Sequence, residues 1–241
     1  MDMQGWRTNN QSREKLLARL GKSVNQDPLS AADFQRLMGA SQSVMVNLKT
    51  YLDSLRCWQE KINLVGSSTL RDPWRRHFLD SAQLLHLMPG RFCSLIDLGS
   101  GAGFPGMVLG IMNHSGRGCE FECGVVSLID SDQRKSIFLR EVSRLTKAHV
   151  SVHSARIESF TGPKADIVTA RACAPLERLL PLANRVLSPR GRCFFLKGDG
   201  VQAELTVALK DWKMDVICHN SISDKRGIIL EVSNLVRHIH S

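Results

Sequence analysis

Leu95-Ile-Asp-Leu-Gly-Ser-Gly-Ala-Gly-Phe-Pro-Gly106 is the stretch that decides the fold. A short apolar run from Cys93 ends in Asp97 and opens into glycines at 99, 101, 103 and 106. The run reads as a strand. The glycines let the backbone turn sharply into a helix and let a ligand come within contact distance. In a doubly wound sheet, a nucleotide-like ligand sits at this first strand-to-helix turn.

Downstream the pattern recurs. Residues 124–130, 150–153, 165–169 and 192–196 are further β-like runs, with helical stretches at 132–146 and 175–187 between them. Strands alternating with helices imply a parallel sheet covered on both faces. Two closing runs, 214–218 and 227–232, lie too close together for a crossover helix and read as an antiparallel edge hairpin. Upstream the spacing is helical. Ser30 and Asp33 form a capping box, and apolar residues fall at 44, 48, 52, 55 and 62, with Tyr51 and Trp58 beside them. Asp72-Pro73 starts another helix, which Pro89-Gly90 stops after Met88. The expected fold class is therefore α/β: a doubly wound, mostly parallel Rossmann-like sheet with an antiparallel edge hairpin over 91–241. A helical extension over 1–90 precedes it, its first 27 residues loosely held.

The 241 residues suit one such domain with its extension. No apolar stretch reaches the roughly 20 residues of a membrane span, and the N-terminus lacks a secretory core. The seven cysteines include no C-x-x-C pair, so they read as reduced, mostly buried thiols rather than a metal site. A cytoplasmic monomer is the expectation. The net charge of +9 divides as +4 over 1–90, +5 over 91–200 and zero beyond. A basic face of this kind suits a polyanion, with nucleic acid the usual one.

Two readings of the glycine turn compete. Gly101-Ala-Gly-Phe-Pro-Gly106 matches the dinucleotide fingerprint G-x-G-x-x-G. Asp97 extends it to D-x-G-x-G-x-G, which suits a cationic amino-acid sulfonium: a carboxylate near the ammonium and no pyrophosphate to neutralise. Asp130, ending the second strand, is placed to accept two ribose hydroxyls, a role that serves either ligand.

Five ordered blocks sharpen the reading: Trp58-Gln-Glu-Lys-Ile-Asn-Leu64, Arg76-His-Phe-Leu-Asp-Ser81, Asp97 to Gly106, Arg171-Ala-Cys-Ala-Pro-Leu176 and Leu196-Lys-Gly198. Together they resemble the ribosomal RNA small subunit methyltransferase G family, also called glucose-inhibited division protein B, over roughly residues 45–200. The chain departs from that pattern at Val65-Gly66, in a longer stretch from Met112 to Gly124, and at Lys225-Arg-Gly-Ile228. The resemblance implies a class I methyltransferase sheet, S-adenosylmethionine as cofactor, and methylation of guanine N7 in small-subunit (16S) ribosomal RNA. It places Asp97, Gly99, Ser100, Gly101, Gly103, Phe104 and Asp130 at the cofactor, with Arg156, Ile157 and Glu158 along the adenine and Arg171 beside cofactor and substrate. Arg171 and Lys197 follow strands at the ligand edge and are the candidate catalytic pair, Lys197 through an RNA phosphate. Arg75, Arg76 and His77 are candidate RNA contacts. His77 and Asp80, three apart on one helix face, either close over the site or tie the helix to the sheet. No metal is called for. The competing functions are the same fold acting on another acceptor, a nicotinamide oxidoreductase, and a non-catalytic RNA-binding module.

Overall fold

The computed structural model describes the backbone of Arg7 and Thr8, residues 28–113 and residues 122–238, with side chains from 124 in the last segment. The expectations for the remainder of 1–27, for the stretch around Cys119 and for the Cys123 side chain fall outside these residues.

Ser30 caps α1 (Ala31–Met38) in a reciprocal box with Asp33, and Gly39 ends the helix in the left-handed conformation, φ +63°. Ser41 caps α2 (Gln42–Gln59). Its buried residues Val44, Met45, Leu48, Tyr51, Leu52 and Leu55 recur at helical spacing and form one face. Ile62, grouped with them by spacing, lies beyond the helix end. After a 3-10 turn (Ser67–Arg71), Asp72 accepts the Arg75 N–H at 3.3 Å and starts a continuous helical segment. This runs through a π turn (Trp74–Leu79), an α turn (Asp80–Ala82) and a 3-10 turn (Gln83–His86), two residues short of Met88.

The sheet follows at residue 91. Its strands are β1 (Arg91–Leu98), β2 (Glu122–Asp130), β3 (Val150–Ser154), β4 (Ala165–Arg171), β5 (Leu187–Lys197), β6 (Trp212–Asn220) and β7 (Ile228–Arg237). Their order is 3-2-1-4-5-7-6, and the two-residue strand Arg7–Thr8 adds to β6 in parallel. β7 runs antiparallel between β5 and β6, so the closing pair is the expected edge hairpin. Helices α3 (Gly106–Met112), α4 (Gln133–Thr146), α5 (Leu176–Val186) and α6 (Val201–Ala208) cover the faces; α6 is the helix the apolar spacing did not predict.

β1 lies at the centre, and its last four residues, Leu95–Leu98, are all buried, because helices cover both faces there. One core cluster joins Phe34, Leu48, Tyr51 and Phe78 of the extension to Leu95, Val108, Phe138 and Phe194 of the sheet and its helices. The opposite face carries a second cluster built on α5, β4 and β5. Cysteine burial departs from expectation: Cys193 and Cys218 are buried, Cys173 is half-buried, and Cys57 and Cys93 are exposed. Cys57 and Cys93 sit where a helix and a strand turn a polar side outward. Among the described residues, no helix is long and apolar enough to cross a membrane.

Candidate active site

The carboxyl ends of β1, β2, β4 and β5 open onto a cleft of about 1740 Å³. The turn Gly99–Ala102, Asp130, the 155–158 stretch and Arg171 form its sheet side. Thr69, Arg76, His77 and Asp80 reach it from the helical extension.

Packing dictates the turn. Gly103 has φ +96°, and a Cβ there would stand 2.6 Å from the Tyr51 hydroxyl. Asp97 is fully buried beneath the turn and does not line the cleft. Its Oδ1 accepts the Thr169 hydroxyl at 2.7 Å and its Oδ2 the Gly106 N–H at 3.3 Å. Burial pushes its carboxyl up to about 6, although Thr169 and the turn hold it down. In this arrangement the Asp97 carboxyl organises the turn from below. Gly103 likewise packs behind the cleft wall.

Asp130 ends β2 at the cleft. Its Oδ2 accepts the Gly101 N–H at 2.7 Å and its Oδ1 the Asp132 N–H at 2.8 Å, which aims the carboxylate and leaves each oxygen a second lone pair. Ser100 and Gly101 face the same space. Beyond β3, Arg156, Ile157 and Glu158 line the next part of the cleft, and Arg185 holds that turn through the Glu158 carbonyl at 2.7 Å.

Arg171 ends β4 at the cleft and is held by several groups. Its Nη1 donates to Asp80 Oδ2 and to the Arg76 carbonyl, both at 3.1 Å. Its Nη2 lies 3.2 Å from His77 Nδ1, and its guanidinium carbon sits 4.8 Å from the centre of the Phe104 ring. Phe104 is stacked on Tyr51 at 5.1 Å and on His77 at 4.7 Å, so it is a pillar under the cation, only 3% exposed.

Residues 45–231 match the family described as rRNA small subunit methyltransferase G, GidB. The chain belongs to this family. It is 48% identical to ribosomal RNA small subunit methyltransferase G of Rhodospirillum centenum, across 85% of this chain and 91% of the relative. The Rhodospirillum rubrum protein of the same name is 46% identical across 82% and 94%. The sheet and its helices also align with a putative class I S-adenosylmethionine-dependent methyltransferase from Listeria monocytogenes, with a TM-score of 0.55 at 12% identity, covering 93% of this chain and 88% of that one. That likeness fixes the class I methyltransferase fold.

The R-H-x-x-D-S block resembling this family is a bolt between helix, sheet and hairpin. Arg76 pairs with Asp224 at 2.5 Å, Asp80 Oδ1 accepts the Ser223 hydroxyl at 2.6 Å, and the Ser81 hydroxyl returns to the His77 carbonyl at 2.7 Å. Gln83 adds the Ile222 N–H at 2.8 Å. Three of the expected RNA contacts are engaged within the chain itself. The Arg75 side chain is only 14% exposed and its Nε holds Asp72 at 2.8 Å. His77 is 4% exposed, with both ring nitrogens engaged. Lys197 is 11% exposed, and its ammonium donates to Glu204 at 2.7 Å and to the Ala174 carbonyl at 2.8 Å, which ties β5 to the start of α5. Of the four, Arg76 alone presents a side chain nearly half exposed to the cleft.

Other site residues escaped the family motifs. Thr169 pairs in register with Asp97 across β4 and β1; its signal is the two-residue spacing to Arg171, which puts both on one face. Tyr51 donates its hydroxyl to the Ala102 carbonyl of the glycine turn. Its signal is chemical: the chain's only tyrosine sits on a core-facing helix stripe, where a phenol needs a partner.

Proposed function

We propose that the chain transfers a methyl group from S-adenosylmethionine to N7 of a guanine in 16S ribosomal RNA. This is the finer form of a family membership that already makes it a small-subunit ribosomal RNA methyltransferase. The cleft suits the cofactor. Asp130 has carboxylate lone pairs free for the ribose hydroxyls, the Gly99–Gly101 backbone lies alongside, and Ile157 and Glu158 offer an apolar wall and an acceptor for adenine. The cofactor, when bound, supplies an electrophilic methyl on a sulfonium.

The observation that carries the reading is Arg171, locked on Phe104 at the carboxyl edge of the sheet, where the strand order reverses around β1 and β4. Guanine N7 has an in-plane lone pair and no proton, so its attack needs no general base. The protein's task is alignment and exclusion of water. An A-form major groove is too deep for side chains, which favours a looped or extruded guanine as substrate. The +9 charge supports attraction to RNA. A ribosomal substrate puts the enzyme in the cytoplasm, with the monomer as the working unit.

The test is tritiated-methyl transfer to bacterial small-subunit RNA and subunits, with the labelled nucleoside identified by chromatography. Label is expected in 7-methylguanosine and lost in Arg171→Ala. Label in another nucleoside would refute the N7 assignment while keeping the family; an unlabelled ribosomal substrate would point to another acceptor.

A further inference from the structure

We infer that His77 is the positioning residue for Arg171: a neutral ring, protonated on Nε2, whose Nδ1 accepts a hydrogen bond from the guanidinium and couples it to the cleft wall at Thr69. The inference rests on the methyltransferase reading and adds to it a residue that acts only through another.

Hydrogen-bond accounting gives the tautomer. The Thr69 hydroxyl has one proton, and the Gly66 carbonyl takes it at 2.6 Å. At 2.8 Å from His77 Nε2, the same oxygen must therefore accept, so Nε2 carries the ring proton. Nδ1 is left with its lone pair, facing the Arg171 Nη2 at 3.2 Å. An imidazolium would instead turn an N–H toward a guanidinium N–H. The surroundings agree: burial, with Arg171 and Arg76 close by, pushes the ring's pKa down to about 3.

Both terminal nitrogens of Arg171 are then fixed, Nη1 by Asp80 and the Arg76 carbonyl and Nη2 by His77. The imidazole and the guanidinium share one support, the Phe104 ring, at 4.7 and 4.8 Å. His77 lies within the π turn, a helix form often found at functional sites. Through Thr69 and Gly66, which line the cleft, the ring joins the outer wall to the cation at the sheet edge.

His77→Phe keeps a flat ring on Phe104 and removes both hydrogen bonds. His77→Asn puts an amide oxygen where Nδ1 stands and restores the acceptor for Arg171. In single-turnover and steady-state assays on small-subunit RNA, H77F should lower kcat about tenfold or more, the cost of a misplaced group in an alignment-driven reaction. Its S-adenosylhomocysteine affinity should stay within about twofold, since the Asp130 end is untouched, and H77N should recover most of kcat. In the wild-type chain, 15N spectra of the histidine rings should show His77 protonated on Nε2 alone at neutral pH. The inference is overturned if kcat of H77F stays near wild type, if H77N is no better than H77F, if kcat and cofactor affinity fall together, or if the ring is an imidazolium or carries its proton on Nδ1. Should wild type transfer no methyl to ribosomal RNA, the proposed function fails, and the ring nitrogens still decide the positioning.

Discussion

Replacing Gly103 with alanine tests whether the glycine turn is shaped by the core beneath it. At φ +96° an L side chain costs about 1–2 kcal/mol in backbone strain. The added Cβ would also meet the Tyr51 hydroxyl at 2.6 Å, Leu139 Cδ2 at 2.8 Å and Met107 Cβ at 2.9 Å. All three neighbours belong to the packed core, so none retreats freely, and overpacking of this sort costs about 1–3 kcal/mol more. The sum is a loss of about 2–5 kcal/mol. Gly39 is the matched control: it has φ +63° but no heavy atom within 4 Å of a built Cβ, so Gly39→Ala should cost only the strain. Urea denaturation of both variants, with unchanged m-values, gives the difference directly. G103A should also weaken S-adenosylhomocysteine binding, because Tyr51 holds the turn through Ala102. Equal destabilisation by G103A and G39A would show that the core does not press on the turn and would refute the argument.

Acid should act through His77. Its folded pKa is lowered to about 3 from the usual 6.5, so the unfolded chain binds the extra proton between those values. The ring's contribution is therefore full above pH 6.5 and declines as pH falls toward 3, amounting to about 2 kcal/mol lost between pH 7 and 5. Asp97, raised to about 6, acts with the opposite sign between 3.8 and 6, so the difference between wild type and His77→Phe isolates the histidine. That difference should shrink on acidification; parallel stability curves would contradict a buried neutral ring. Lys197→Met should leave the slope of RNA affinity against salt unchanged, because the ammonium is spent on Glu204 and Ala174. A slope smaller by about 1 would restore the phosphate role expected from the sequence.

The strand-helix alternation and the caps at Ser30 and Asp72 were legible because their signals are local: period, glycine and a capping oxygen within a few residues. The edge hairpin was legible from the short gap between its two runs, whereas the order of the strands across the sheet came only with the structure. The side-chain roles of the basic residues were not legible in the same way. Arg171 and Lys197 read as ligand contacts at the sheet edge, yet each also meets an acid that only folding brings near, Asp80 from another element and Glu204 from α6; Arg75 pairs with Asp72 within one helical turn. The surroundings of Asp97 were hidden for the same reason. Its motif position is right, but whether a carboxylate points at a ligand or under a turn depends on Thr169, 72 residues later.

These pairings bear on the chemistry. In the proposed reaction, methyl transfer from a sulfonium to guanine N7 carries the positive charge from sulfur onto the base. A bare cation fixed beside the ring would oppose that arrival, whereas one already balanced opposes it less. Arg171 has Asp80 at 3.1 Å, Arg76 has Asp224, and Lys197 has Glu204. Burial and the neighbouring Arg171 and Arg76 favour the neutral form of His77, which is stacked on Phe104. Arg156 and Arg178, exposed on the cleft's outer reaches, are where charge can serve RNA attraction without facing the reacting atom. The division answers two opposed demands on one basic protein, since the charge that gathers a polyanion over Debye-length distances must be offset at the point where the base itself becomes a cation.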